Sequence, residues 1–176
     1  MDKCPNLENY LLIIVFLPFW FRLAQCFRRF KDTNDKKNLV NAGKYFSVIL
    51  IHFSNIFRTK LRTEAAFNVF LALSLLSTLY SFSWDLYIDW GFFQKGSLAA
   101  LKKRDLRGFL RQRTLFPTWF YLTSIVSNLV LRFLWAIPML PMLPGWLHNS
   151  QVLVSIITIG EGYRRAQWSI IRIENE

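Results

Sequence analysis

EAAFNVFLALSLLSTLYSFSWDLYIDWG, residues 64–91, is the stretch that decides the fold. Its first part is about 20 mostly apolar residues, the length that an α-helix needs to cross a hydrocarbon core of roughly 30 Å. Its last part carries Asp85 and Asp89, four residues apart, between Trp84 and Trp90. On a helix this spacing places both carboxylates on one face. Because a carboxylate in lipid costs several kcal/mol unless it is paired or hydrated, both are predicted to face a protein interior or an aqueous cavity.

The composition favours a membrane protein. Of 176 residues, 53% are hydrophobic and 17% aromatic, and only 19% are charged, against about 25% in soluble domains. The net charge of +11 would suggest a nucleic-acid partner in a soluble protein. Here the basic residues lie in the gaps between apolar runs, which is typical of loops on the cytoplasmic side of a membrane. The sequence therefore predicts an integral membrane protein and no nucleic-acid partner.

The apolar runs predict an all-α, polytopic transmembrane helical bundle of about five spans, in a single domain over residues 1–176. The predicted spans are residues 10–27, 39–57, 64–91, 115–137 and 147–173. Alternation places the N-terminus outside and the two most basic connectors, 28–37 and 92–114, inside. Only the short basic turn at 58–62 violates the charge rule.

Local signals refine these spans. Asn41 is predicted to cap the second span, and Gly43 to allow a close approach of helices. Gly160 and Gly162, on either side of Glu161, indicate a break or hinge in the fifth span. Residues 97–113 are either an amphipathic helix that binds lipid headgroups or a solvated cytoplasmic loop.

Ionisable residues within the spans mark a candidate ion path, because each is costly in lipid. They are four cations and three carboxylates: Lys44, Asp85, Asp89, Arg132, Glu161, Arg164 and Arg165. A cavity lined by this set would attract one small anion, and the planar fork of arginine suits a tetrahedral oxyanion. The alternative is that these residues only pair with one another across helices.

Other kinds of site are weakly supported. Asp85 and Asp89 resemble the acid/base pair of a hydrolase, but no nucleophile accompanies them. His52 and His148 lack the spacing of metal ligands. Glycine-rich phosphate-binding motifs are absent from the sequence. We therefore predict no enzymatic activity, no metal and no cofactor.

Four blocks of sequence carry a resemblance to a known family. They are PFWFRLAQCFRRFKDT with LVNAGKY, LYSFSWDLYIDWGFF, LVLRFLWAI and EGYRRAQWSIIRIENE. In these blocks the chain resembles the EXS family, the membrane domain of eukaryotic phosphate exporters. The GEG before the arginine pair and Ser169 differ from the commonest family pattern.

The resemblance implies a helical bundle that encloses a pathway for inorganic phosphate. The family's phosphate-lining positions correspond here to Lys44, Tyr45, Asp85, Arg132, Trp135, Arg164 and Arg165, and Asp89, Glu161 and Arg172 also match family positions. The predicted function is export or recycling of inorganic phosphate through an arginine- and lysine-lined pathway, with Asp85 as counter-charge.

The resemblance also leaves alternatives open. No SPX domain is expected, and the short relatives without one imply the Golgi or another endomembrane in preference to the plasma membrane. One alternative function is a non-transporting membrane adaptor or sorting factor for Golgi protein retention. Another is a fragment that requires a partner subunit. The expected partners are inorganic phosphate and membrane lipids, with a homodimer or a partner subunit as further candidates.

Overall fold

The computed structural model describes residues 7–92, 115–140 and 150–176, and this part of the chain is helical without strands. The all-α fold predicted from the sequence is therefore confirmed. Its elements in chain order are α1 (Leu7–Thr33), α2 (Lys36–Leu61), α3 (Glu64–Trp84) with a π-helix (Asp85–Asp89), α4 (Thr118–Arg132) with a 3-10 helix (Leu134–Met139), and α5 (Ser150–Asn175). The chain divides into two compact units, Met1–Tyr80 and Ser81–Glu176.

The first unit is built on the hairpin of α1 and α2. Its buried centre consists of Leu23 and Cys26 from α1 and Ala42 and Ile49 from α2. Within this unit α3 meets α2 through small polar contacts, with the Ser47 and Ser77 hydroxyls 2.8 Å apart. The Tyr80 hydroxyl donates to the Val40 carbonyl at 2.6 Å.

Gly43 permits this contact. A Cβ at Gly43 would lie 3.1 Å from the Tyr80 hydroxyl oxygen, closer than ordinary packing allows. The neighbour of Gly43 is therefore an aromatic side chain of α3, and a close approach of helix backbones at this glycine stays a prediction.

The second unit packs α4 and α5 against the π-helix. Its buried aromatic and aliphatic residues are Leu86, Trp90, Phe92, Tyr121 and Ile171. The Tyr121 hydroxyl donates to Glu174 near the end of α5, at 2.6 Å to one carboxylate oxygen. The Leu115 backbone N–H donates to the same carboxylate at 2.7 Å, so Glu174 fixes the start of the α4 segment against the end of α5.

Two predictions around the first connector are wrong. Residues 28–37 do not form a loop, because α1 continues to Thr33 and α2 begins at Lys36. The chain reverses at Asn34, which has a positive φ of 52°, and at Asp35. Asp35, rather than Asn41, caps α2, since its carboxylate accepts the Lys37 backbone N–H at 2.9 Å. Asn41 lies inside the helix.

The predicted break at Gly160 and Gly162 is also wrong, because α5 is continuous from Ser150 to Asn175. A Cβ at Gly160 would lie 2.5 Å from the Leu134 Cδ1 atom, whereas nothing lies within 4 Å at Gly162. Gly160 therefore serves close packing of α5 against the 3-10 helix. The helix keeps its hydrogen bonds and tolerates the lower helix propensity of glycine.

Two helical segments in the described part are long and apolar enough to cross a membrane, by length and composition: Glu64–Asp89 and Thr118–Met139. They correspond to the third and fourth predicted spans. The other three spans stay predictions, although helices occupy their positions. The amphipathic helix or loop predicted at 97–113 lies outside the described residues, as does most of the connector 138–146 between the fourth and fifth predicted spans.

Candidate anion-binding site

Asp85 occupies the first position of the π-helix at the end of α3. The Trp90 backbone N–H donates to the Asp85 carbonyl at 2.8 Å, and the Phe92 N–H donates to the Leu86 carbonyl at 2.9 Å. These widened turns are anchored by the fully buried Trp90 and Phe92 side chains. Short π-helical turns recur at functional sites, and this one sets the direction of the Asp85 carboxylate.

The Asp85 carboxylate is the centre of a buried polar cluster in the second unit. Its Oδ2 atom accepts hydrogen bonds from Arg132 Nη2 and, at 3.1 Å, from Asn128 Nδ2. Arg164 Nη1 lies 4.0 Å from the same oxygen. The side chains of Arg132, Arg164 and Asp85 are only 14%, 13% and 4% exposed. A single carboxylate oxygen therefore faces two buried guanidinium groups.

Glu161 supplies the second carboxylate of the cluster. Arg164 donates two parallel hydrogen bonds to it from one edge of the guanidinium, with Nε–Oε1 at 3.2 Å and Nη2–Oε2 at 2.9 Å. The third nitrogen, Nη1, donates to Asn128 Oδ1 at 3.5 Å. Asn128 thus donates to Asp85 and accepts from Arg164, which joins the two ion pairs into one network.

Helical spacing explains how two helices assemble this cluster. Asn128 and Arg132 are four residues apart on α4, so they project from the same face. Glu161 and Arg164 are three apart on α5 and also share a face. Asp85 lies opposite both pairs, since it contacts side chains from each helix.

The cluster is electrically balanced, because its two buried guanidinium groups face the buried Asp85 carboxylate and the Glu161 carboxylate, which is 36% exposed. The cationic surplus expected from the sequence is therefore not inside it. Arg165 lies at its edge, with a side chain 77% exposed and Nε 3.8 Å from Glu161 Oε2. Arg132 Nε is buried without a hydrogen-bond partner in the described part of the chain, so one donor of the cluster is unused.

Asp89 belongs to a separate network. Its two carboxylate oxygens accept indole N–H groups, from Trp84 at 3.2 Å and from Trp168 at 3.1 Å. Its backbone carbonyl accepts from Asn175 Nδ2 at 3.1 Å. Asp89 therefore holds α5 against the end of the π-helix, and a contact with an anion stays a prediction for it.

The remaining predicted site residues lie elsewhere. Trp135 is in the 3-10 helix that follows Arg132, with its ring 6.4 Å from that of Phe133. Lys44 and Tyr45 are on α2 in the first unit, where the Lys44 ammonium lies 5.3 Å from the centroid of the Tyr45 ring. Their participation in a common site stays a prediction.

Asn128 and Trp168 are the contributors that the sequence prediction missed. Asn128 is 1% exposed and stands one helical turn before Arg132 within an apolar run. An amide one turn from an arginine within an apolar run could have been predicted to belong to the same polar cluster, because its own polar atoms need hydrogen-bond partners on that face. The contact of Trp168 with Asp89 is harder to predict, since a tryptophan near the end of a span is also common at the membrane interface.

The chain matches one protein family and is similar in sequence to several curated proteins. The family model described as "EXS family" matches residues 1–176. The chain is 30% identical over 176 residues to human solute carrier family 53 member 1. The aligned region covers 93% of this chain and 24% of that protein. It is 34% identical over 184 residues to phosphate transporter PHO1 homolog 1 of Arabidopsis thaliana, covering 99% of this chain and 22% of that protein.

A zebrafish (Danio rerio) relative, the xenotropic and polytropic retrovirus receptor 1 homolog, is 32% identical over 170 residues, covering 93% of this chain and 24% of that protein. The chain therefore spans about a quarter of the length of the curated relatives it matches. The match over all 176 residues shows that the chain belongs to the EXS family.

Proposed function

We propose that this chain moves inorganic phosphate across a membrane and binds it between the guanidinium groups of Arg132 and Arg164. The observation that supports this most directly is the Asp85 carboxylate, which faces both guanidinium groups in a buried position. A carboxylate offers arginine the same oxygen geometry as an edge of a phosphate ion. Asp85 and Glu161 are thus internal substitutes for the anion while the site is empty.

Binding then proceeds by exchange of partners. Phosphate takes the guanidinium donors that Asp85 and Glu161 occupy, together with the unused Nε of Arg132. Two guanidinium groups already balance two carboxylates, so the phosphate adds negative charge to the cluster and is repelled by Asp85 and Glu161. This repulsion weakens net binding, and a transported ion must bind weakly enough to leave. Arginine is required because its charge persists when it is buried.

Relatives support the choice of phosphate. One is named as a phosphate transporter and another as a solute carrier. Further contacts are proposed for the other predicted site residues, Lys44, Tyr45, Asp89, Trp135 and Arg165. The proposed location is the Golgi or another endomembrane, with the two apolar helical segments crossing the bilayer.

Phosphate efflux from proteoliposomes tests the proposal. The full chain is reconstituted with radiolabelled phosphate inside, as wild type, Arg132→Lys and Arg28→Lys. Arg132→Lys keeps the charge but loses the planar fork, so efflux is expected to fall about tenfold. Arg28→Lys makes the same exchange in a surface ion pair, where the Arg28 side chain is 86% exposed. This control is expected to leave efflux unchanged.

Sulfate competition measures the selectivity that charge alone does not determine. Sulfate in tenfold excess is expected to slow wild-type efflux only slightly. Two results would overturn the proposal. The first is equal efflux from all three proteins. The second is efflux no faster than from protein-free liposomes, together with no phosphate bound to the protein in equilibrium dialysis. The first result would exclude Arg132 from the pathway, and the second would favour the non-transporting adaptor.

A further inference from the structure

A second basic pocket lies in the first unit, at the turn between α2 and α3. Its volume is about 530 Å³, within the range of about 300–1,000 Å³ that small-ligand sites occupy. It is lined by Arg58, Thr59, Arg62, Thr63, Glu64 and Phe67. Two guanidinium groups, two hydroxyls and one carboxylate therefore meet at this turn.

Arg58 is held in place but incompletely paired. Its guanidinium lies 4.5 Å from the centroid of the Phe70 ring and 5.9 Å from that of Phe67. Nη2 donates to Asn55 Oδ1 at 2.9 Å. Nε is buried without a hydrogen-bond partner, and no carboxylate pairs with Arg58 among the described residues. The aromatic contacts hold the guanidinium in one orientation, and most of its donors have no partner within the part of the chain that the structure describes.

The backbone field at the pocket is mixed, because the negative C-terminal end of α2 and the positive N-terminal end of α3 meet there. Arg62 ends α2 in the left-handed conformation, with φ of 50°, and its N–H donates to the Arg58 carbonyl at 3.0 Å. The Thr63 hydroxyl accepts the Ala66 N–H at 3.3 Å, so α3 begins at the pocket. A helix N-terminus favours an anion. Glu64 opposes that field as the only carboxylate in the lining.

The surroundings of the pocket are apolar and exposed. Phe57 and Leu61 on the last turns of α2 are each 60% exposed, and Val69 on α3 is 54% exposed. The pocket also lies where the membrane-capable segment Glu64–Asp89 begins. In a bilayer this is the depth of the lipid headgroups, next to the hydrocarbon.

We propose that this pocket binds the phosphate headgroup of an anionic membrane phospholipid. Arg58 and Arg62 contact the headgroup phosphate, and the exposed apolar residues of the two helices contact the acyl chains. A lipid suits the pocket better than a free ion does because the basic residues stand directly beside exposed apolar side chains. The proposal is independent of phosphate transport, since it uses none of the residues in the Asp85 cluster.

Lipid titration followed by native mass spectrometry tests this assignment. The purified full chain in detergent is titrated with short-chain phosphatidylglycerol and, separately, with phosphatidylcholine. The variant is Arg62→Asn, because asparagine tolerates the left-handed backbone and carries no charge. Lys60→Asn is the matched control, since Lys60 lies in the same turn of α2 but does not line the pocket.

Arg62→Asn is expected to weaken binding of the first phosphatidylglycerol molecule about tenfold, because one charge-assisted contact is lost. Lys60→Asn is expected to change the affinity for phosphatidylglycerol by no more than about twofold. Glu64→Gln is expected to tighten binding, because it removes the opposing charge. Arg132→Lys is expected to leave lipid binding unchanged, so failure of the transport proposal is separable from failure of this one.

Three results would overturn the assignment. Equal weakening by Lys60→Asn and Arg62→Asn would indicate diffuse attraction to a basic helix end. Equal affinity for phosphatidylcholine would mean that anionic headgroups are not selected. Displacement of the lipid by millimolar inorganic phosphate would make the pocket a site for the free ion.

Discussion

The α1–α2 hairpin is centred on the apolar residues Leu23, Cys26, Ala42 and Ile49, whereas the second unit buries ionised and amide side chains among its helices. In the described residues of the second unit, Asp85, Asp89, Asn128 and Gln167 are all less than 10% exposed. Each of them has a polar partner on another helix or on the π-helix. The interior of the second unit thus combines an apolar core with buried polar contacts between its helices.

The difference indicates how each unit tolerates change. Apolar packing is non-directional, so a hairpin of this kind loses stability in proportion to the contacts removed. A buried charge network is directional, and removal of one member leaves the others unpaired in a low-dielectric interior. The second unit should therefore show much larger single-residue effects at its polar positions.

Asp85→Ala is the strongest test of that contrast. It leaves Arg132 and Arg164 without the carboxylate between them, and the free energy of unfolding is expected to fall by about 3–5 kcal/mol. Chemical unfolding in detergent measures the change. Asp32→Ala is the control, because its pair with Arg28 is 3.9 Å long and 63% exposed on the Asp32 side, and its expected cost is about 0–1 kcal/mol.

A double variant sharpens the result. Asp85→Ala combined with Arg132→Leu removes both partners of one pair and is expected to recover part of the lost stability. Equal costs for Asp85→Ala and Asp32→Ala would contradict the view that the second unit depends on its buried charges.

Tyr80→Phe gives the corresponding measurement in the first unit. It removes the 2.6 Å hydrogen bond to the Val40 carbonyl but keeps the ring above Gly43. The expected cost is about 1 kcal/mol, since the net value of one neutral hydrogen bond is small. Unfolding in detergent again measures it.

Tyr163→Phe is the matched control, because the Tyr163 side chain is 57% exposed and makes no hydrogen bond within the described part of the chain. A loss from Tyr80→Phe as large as that from Asp85→Ala would break the distinction between the two units.

Much of this organisation could be predicted from the sequence. Charged residues inside apolar runs must find partners or water, and this rule alone identified Asp85, Arg132 and Arg164, which the structure brings together. The helices follow from the length and composition of the apolar runs.

The local backbone was harder to predict. The π-helix at Asp85–Asp89 depends on tertiary burial of Trp90 and Phe92, which no local pattern encodes. Gly160 indicated a break in α5 because glycine weakens isolated helices, but here it accommodates Leu134. Thr33, Asn34 and Asp35 contained the turn signal that the basic residues around them obscured.

Arg165→Ala is expected to have the smallest effect on stability. It therefore distinguishes a role in transport from a role in folding. Arg164 and Arg165 are neighbours, but about 100° of helix rotation separates them, so one lies in the buried cluster and the other is 77% exposed. The expected cost of Arg165→Ala in unfolding is therefore about 0–1 kcal/mol. If Arg165 also contacts phosphate when Glu161 releases its partners, efflux from proteoliposomes should fall about fivefold, equivalent to about 1 kcal/mol. Unchanged efflux with unchanged stability would exclude Arg165 from the path and confine the anion to the buried pair, Arg132 and Arg164.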